Sequence, residues 1–279
     1  MRLYLLILIA LVSGIGMGCN DSKTSETKQT NMDSSAKSNI KEDSVVLSEN
    51  GHNYRGFVAY DATKEGKRPG VLIVHEWWGA GDYVRMRAKQ LAGLGYIALA
   101  VDMYGDGKMG NDPKQAQALA TPYYVNPQLT FTRLNPWINK LKQYPQTDTA
   151  NLAAIGYCYG GYVVLNAAKL GADLKGVVSF HGNLGGVPVD KNILKAKILI
   201  CHGAADSFVK KQEVDAFRHA MDSAGIAYTF KAYPNATHAF TNPAATEIGK
   251  KFTMPVEYNA AADTASWNDM KTFFNGIFK

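Results

Sequence analysis

Gly156-Tyr-Cys158-Tyr-Gly160-Gly161 sets a cysteine between two glycines, each two residues away, and a third glycine follows. A side chain projected from a strand–turn–helix corner needs small residues two before and two after it, because the chain folds back on itself there. Gly156 and Gly160 meet that need, and Gly161 allows the helix to pack closely. At a helix start, the free N–H groups and the dipole favour thiolate over thiol. The N–H of Tyr159 also becomes available to a developing oxyanion. Cys158 is therefore the candidate nucleophile. The plainer alternative is a small buried cysteine at a Gly-rich packing corner.

A nucleophile on such a corner wants an acid and then a histidine, in that chain order. Ile198-Leu-Ile-Cys-His-Gly-Ala-Ala-Asp206 is an apolar strand ending in a turn with an aspartate. That aspartate could equally cap the helix near Val209. Thr237-His238-Ala-Phe240 follows the last strand, in a loop. His219 falls on a helix instead. Cys158, Asp206 and His238 thus stand in the required order, each after its own strand. His238 would take the proton of Cys158 or hold it as an ion pair, and Asp206 would fix the imidazole tautomer.

The elements around these residues alternate. Val45–Leu47 and Tyr54–Tyr60 read as strands about the turn Glu49-Asn50-Gly51. Gly70–His75 and Tyr96–Asp102 are continuous apolar runs, as in strands buried on both faces. Leu152–Gly156, Leu174–Phe180, Ala196–His202 and Ala227–Tyr233 are further strands. Helices are predicted over Tyr83–Leu94, Gly160–Leu170, Val209–Ala224 and Ala260–Phe278. Pro113–Tyr144 is predicted helical in pieces, broken near Pro122, Pro127 and Pro136. The fold class is therefore α/β, a mostly parallel central sheet with helices on both faces, in one domain.

The chain's 279 residues suffice for one large core. A net charge of +6, spread without a basic block, describes a solvated surface and argues against a nucleic-acid partner. Residues 1–18 look like an export signal: Arg2, the short apolar run Leu3–Val12, then a small, Gly-rich end before Cys19. Gly18-Cys19 resembles a bacterial lipoprotein processing site, with Gly16 where that pattern favours leucine. An ordinary cleaved signal is the alternative. If the resemblance holds, Cys19 carries lipid and tethers the protein to a membrane outside the cytoplasm. Residues 19–44 are rich in Ser, Thr, Asn, Asp and Lys and read as a flexible tether, so the folded domain is expected at 45–279. Exported proteins often pair their cysteines, so Cys158 and Cys201 could form a disulfide, although their strand-end settings differ. No C-x-x-C is present to support thiol redox work.

The chain resembles the dienelactone hydrolase family from about Tyr54 onward. The motifs that carry the likeness are His75-Glu76-Trp77-Trp78-Gly79, the cysteine corner, His202-Gly203-Ala-Ala-Asp206 and His238-Ala-Phe240. The resemblance implies an α/β-hydrolase fold and hydrolysis of small lactones or carboxylic esters through a thioester acyl-enzyme, with no metal or organic cofactor. It also implies that Glu76 contacts the nucleophile and governs its protonation. A carboxylate near a thiolate raises the cost of both being charged, and a protonated thiol resists oxidation. The N–H of Trp77 would be the second oxyanion donor. His75, His181 and His202 read as hydrogen-bonded scaffold at the sheet edge.

Family members that act on dienelactone hold its carboxylate with two arginines. Here Asp106 and Asn242 stand at those places, in Asp102-Met-Tyr104-Gly-Asp106 and His238-Ala-Phe-Thr-Asn242. A substrate carboxylate facing Asp106 would be repelled. Trp77, Trp78, Tyr104, Tyr159 and Phe240 suggest an apolar or ring-bearing acyl group, with Trp78, Tyr104 and Phe240 as pocket residues. A monomer is expected. The rival from another class is a non-catalytic small-molecule binding protein on a hydrolase scaffold, against which the intact order of Cys, Asp and His argues.

Overall fold

The computed structural model describes residues 38–278. The expected export signal, Cys19 and most of the expected tether lie outside the described residues. The last part of that tether does not: Ile40–Ser44 pair within the first strand, so the fold begins before Val45. Their polar side chains hide the strand from a composition reading, because it lies at the sheet edge and keeps much of its surface in solvent.

Eight strands form one sheet in the order β1-β2-β4-β3-β5-β6-β7-β8. β1 (Ile40–Glu49) and β2 (His52–Asp61) make an antiparallel hairpin, and β2 runs antiparallel to β4 (Ile97–Val101). Asn50 and Gly51 join the hairpin with φ of 50° and 79°, the left-handed pair that a two-residue turn between twisted strands requires. β3 (Arg68–Val74), β5 (Thr147–Tyr157), β6 (Gly176–Phe180), β7 (Lys197–Gly203) and β8 (Thr229–Tyr233) run parallel to one another and to β4.

Alternate residues of the central strands feed two cores. Leu72 and Val74 point to one and Val71 and Ile73 to the other. The first core receives α2 (Pro113–Val125), α3 (Gln128–Lys142), α4 (Tyr159–Lys169) and α5 (Lys211–Ser223). The second receives α1 (Asp82–Gly93) and α7 (Ala260–Ile277). Burial on both faces explains why the strand sequences read as unbroken apolar runs.

Two expectations fail. Only Pro127 interrupts the segment from Pro113; Pro122 and Pro136 sit inside α2 and α3. An internal proline forfeits a hydrogen bond, but Leu134, Trp137, Ile138 and Leu141 on the same helix are fully buried and hold it in place. The second is α6 (Ala245–Phe252), a two-turn helix in a stretch expected to hold none. Eight residues display too little of a 3.6 period to stand out.

Candidate active site

The parallel strands end along one edge of the sheet, and the singled-out side chains lie there. Cys158 sits between β5 and α4 with φ 53° and ψ −117°, a conformation that costs a side-chain-bearing residue on the order of 1–3 kcal/mol. Its N–H is shared between the carbonyl of Phe180 and Nδ1 of His181, each at 3.0 Å. A Cβ on Gly156 would lie 2.0 Å from the Gly160 carbonyl oxygen, and one on Gly160 2.3 Å from that of Val74. The fold-back therefore demands glycine at both places. His181 accepts at Nδ1, so its proton resides on Nε2, which meets the Thr241 hydroxyl at 2.7 Å. Burial, with repulsion from His238 and Arg87, keeps His181 neutral by lowering its pKa well below the ordinary value.

Asp206 serves two partners, one with each oxygen. Oδ1 accepts from the amides of Phe208 and Val209 at 2.8 and 3.0 Å, which is the capping role considered above. Oδ2 accepts from Nδ1 of His238 at 2.9 Å. Burial would raise the Asp206 carboxyl, but His238 and the two amides outweigh it and hold the pKa below the usual range. Burial would likewise disfavour a charged His238, yet Cys158 and Asp206 overcome it and hold its pKa well above the ordinary value. Nδ1 is committed to Asp206, which leaves Nε2, and Cys158 and His238 line one cavity. Cys158 and Cys201 are free thiols, and Cys201 is buried, so the disulfide considered from the sequence is not formed.

Glu76 follows β3 and is buried. Its hydrogen-bond partner is Asn242, whose Nδ2 donates to Oε2 at 2.6 Å, rather than the thiol of Cys158. Burial raises the Glu76 pKa to about 7, opposed by Asn242, His238 and Arg87. The next peptide, at Trp77, presents an N–H with no acceptor among the described residues, as does that of Tyr159 at the head of α4. His75 fixes this turn through Nδ1–H to the Glu76 carbonyl at 2.5 Å, while its Nε2 accepts from the Met103 amide at 3.2 Å.

The raised pKa has a thermodynamic consequence. Between about pH 4.5 and 7 the folded state holds a proton on Glu76 that the unfolded chain releases, so unfolding free energy falls as pH rises through that window. Glu76→Gln is expected to remove this fall and to gain about 1–3 kcal/mol at pH 8. Denaturant titrations of both proteins at pH 5 and pH 8 check it. Equal slopes with pH would show that Glu76 ionises normally.

The cavity measures about 520 Å³ and opens onto this edge. Trp77, Trp78, Tyr124, Tyr162 and Phe208 supply aromatic wall, and Ala245, Ile248, Met254 and Val256 of α6 and the following loop supply an aliphatic one. Ala239, Ala245 and Val256 pack in a small cluster of their own, separate from both main cores. A parallel bridge between His238 and Val256 ties this wall to the histidine loop.

A match to the family model described as the dienelactone hydrolase family spans residues 55–278. The chain belongs to the dienelactone hydrolase family. It is accordingly a hydrolase of carboxylic esters or lactones. A dienelactone hydrolase-like promiscuous phosphotriesterase from metagenomic libraries is 30% identical, with a TM-score of 0.80 over 86% of this chain and 99% of that one. The structure named m3DLH is 32% identical, with the same TM-score and coverage. Protein usf of Aquifex pyrophilus is 26% identical over 235 residues, 82% of this chain and 96% of that protein.

Compared with the expected site, this dienelactone hydrolase family member differs in several side chains. Tyr104 does not line the cavity: its hydroxyl donates to the Trp77 carbonyl at 3.1 Å and its ring packs on His75. Phe240 is fully buried between His181 and Tyr233. Each flanks a site residue in sequence, but the backbone there turns its ring into the core. Trp78 does line the cavity, beside Phe252. Asp106 points away from it, accepting from His52 Nδ1 at 2.6 Å and the Asn53 amide at 3.0 Å on the hairpin. Gly105, Asp106 and Gly107 all have positive φ, and this run swings the carboxylate outward. The repulsion expected from Asp106 is therefore absent.

Sequence reasoning missed Tyr124, Tyr162, Asn183 and Glu213, which all line the cavity. The two tyrosines lie on helices and read as packing. Asn183 offered one signal, since it follows β6 at the carboxyl edge of the sheet, where α/β folds bind ligands.

Proposed function

We propose that the chain cleaves its ester or lactone through Cys158, His238 and Asp206 by way of a thioester acyl-enzyme. The observation that carries this reading is the 2.9 Å contact of His238 with Asp206 beside a strained cysteine on the same cavity. His238 takes the thiol proton, and the sulfur attacks the carbonyl carbon. The N–H groups of Trp77 and Tyr159 receive the oxyanion. Collapse breaks the bond to the alkoxy oxygen, which leaves with the proton from His238, and the acyl group stays on sulfur. Water then gives a proton to His238 and attacks the thioester, and the acid departs as the thiol is restored. Glu76, half-protonated near neutral pH, tempers the positive charge on His238. Acid quench during turnover of a slow aryl ester, followed by peptide mass spectrometry, is expected to find the acyl group on Cys158. Acylation at another residue would overturn the assignment. The contact of His238 with Asp206 on a cavity that Cys158 also lines disfavours a purely binding role.

The substrate is expected to be uncharged at its acyl end. Among the described residues no lysine or arginine lines the cavity, while Glu76 and Glu213 do, and Asn242 occupies an arginine position of the family. Losing a charge-assisted hydrogen bond costs about 1.5–3 kcal/mol, or roughly tenfold or more. Wild type should favour a neutral lactone over its carboxylate-bearing counterpart by at least that factor in kcat/KM. Asn242→Arg should narrow the gap and Asp106→Arg should leave it. A wild-type preference for the anion would refute the inference.

We also infer that Cys19 is lipidated after export, on the strength of Arg2, the apolar run and Gly18-Cys19. Full-length protein made in a bacterium should partition into detergent, and Cys19→Ser should block processing or release it. Soluble forms cut at the same place in both would leave an ordinary secretory signal.

A further inference from the structure

Glu213 projects from α5 into the cavity and takes no part in the bond-making and bond-breaking steps proposed above. Its Oε1 accepts from the amides of Leu184 and Gly185. Its Oε2 has a single long contact, from Asn183 Nδ2 at 3.5 Å, and so retains unused acceptor capacity. Asn183 in turn meets the Tyr124 hydroxyl at 3.4 Å, and the Tyr124 and Tyr162 rings lie 4.6 Å apart. A carboxylate and two tyrosine rings are thus contiguous within a cavity that Cys158 also lines. The buried cation Lys169 is brought down to about pKa 8 by burial, against the attraction of Glu213, which raises it. Its ammonium is committed to the Leu184 and Gly185 carbonyls at 3.2 and 3.4 Å, it does not line the cavity, and among the described residues no ion pair joins it to Glu213.

We propose that this corner receives an alkylammonium group carried by the ester, held by Glu213 and by the rings of Tyr124 and Tyr162. The proposal rests on the hydrolase reading and names the substrate class for that site. An alkylammonium has an apolar shell that suits aromatic and aliphatic walls. Its charge is attracted both to aromatic rings and to the half-buried Glu213 carboxylate. A neutral ester gains neither attraction, and an anion is repelled.

The test compares acetylcholine with its uncharged carbon isostere, 3,3-dimethylbutyl acetate, using phenyl acetate as the general ester. Wild type is expected to favour acetylcholine by about tenfold or more in kcat/KM. Tetramethylammonium is expected to compete with phenyl acetate, whereas tert-butanol at equal concentration does not. Glu213→Gln keeps an acceptor for the loop amides and should bring the acetylcholine-to-isostere ratio close to one. Because that ratio is taken within one preparation, partial misfolding of the variant does not disturb it. A wild-type ratio at or below one, no competition by tetramethylammonium, or an unchanged ratio in Glu213→Gln would each overturn the proposal. Any of these with phenyl acetate still cleaved leaves the hydrolase reading standing. Failure to cleave phenyl acetate as well brings both down.

Discussion

Cys158→Ala is expected to lower ester turnover by at least about a thousand-fold, because removing a nucleophile forfeits the covalent route while the oxyanion donors and binding surface remain. The thermal midpoint should hardly move. Alanine and cysteine meet the same backbone strain at φ 53°, and the sulfur is only partly buried. Alkylation gives an independent reading. Iodoacetamide should label Cys158 well before Cys201, which is fully buried, bonded by the Tyr233 hydroxyl at 3.4 Å, and pushed up to about pKa 12 by burial. Cys158→Ser should retain weak turnover, since a hydroxyl can use the same base. Undiminished turnover in Cys158→Ala would remove the cysteine from the mechanism altogether.

Gly156→Ala should have the largest effect on stability. The added Cβ would meet the Gly160 carbonyl oxygen at 2.0 Å, its carbon at 2.2 Å and the Gly161 nitrogen at 2.7 Å, all backbone atoms that cannot rotate aside. A loss above about 3 kcal/mol is expected, exceeding usual overpacking because the obstacle is main chain. That corresponds to a drop of roughly 6 °C or more in Tm for a domain of this size. Any protein that does fold should have lost activity, since relief requires β5 and α4 to separate at Cys158. Gly93→Ala is the matched control: nothing lies within 4 Å of its Cβ position and it ends a helix, so stability should stay or rise by up to about 1 kcal/mol. Similar midpoints for the two variants would mean the corner is looser than its geometry indicates.

What could be read from the sequence follows from how strongly local chemistry constrains each position. The runs at 70–74 in β3 and 97–101 in β4 were legible because burial on both faces leaves only apolar residues there. The corner at Cys158 was legible because a backbone collision excludes every side chain at Gly156 and Gly160. Asp206 could be read as cap or acid, and its two oxygens divide the roles. Direction was not legible. Asp106 occupies a recognisable place after β4, but three successive residues of positive φ decide where it points, and only one glycine-bearing pair frames that choice in the sequence. Tyr104 and Phe240 adjoin site residues and still turn inward. Glu213 and Asn183 lie thirty residues apart, on elements that meet only when α5 packs beside the loop after β6.

The wall formed by α6 has its own small cluster and shares little with the two large cores. Local opening free energies depend on such local packing, not on global stability. Amides of residues 245–252 should therefore exchange with deuterium ahead of those in β3, β5 and β6. Opening of α6 beyond the His238–Val256 bridge would let the cavity widen for guests bulkier than its resting volume. The wall also gives natural variation a place to retune which guest is admitted, because Ile248 and Met254 can change without touching Cys158, Asp206 or His238.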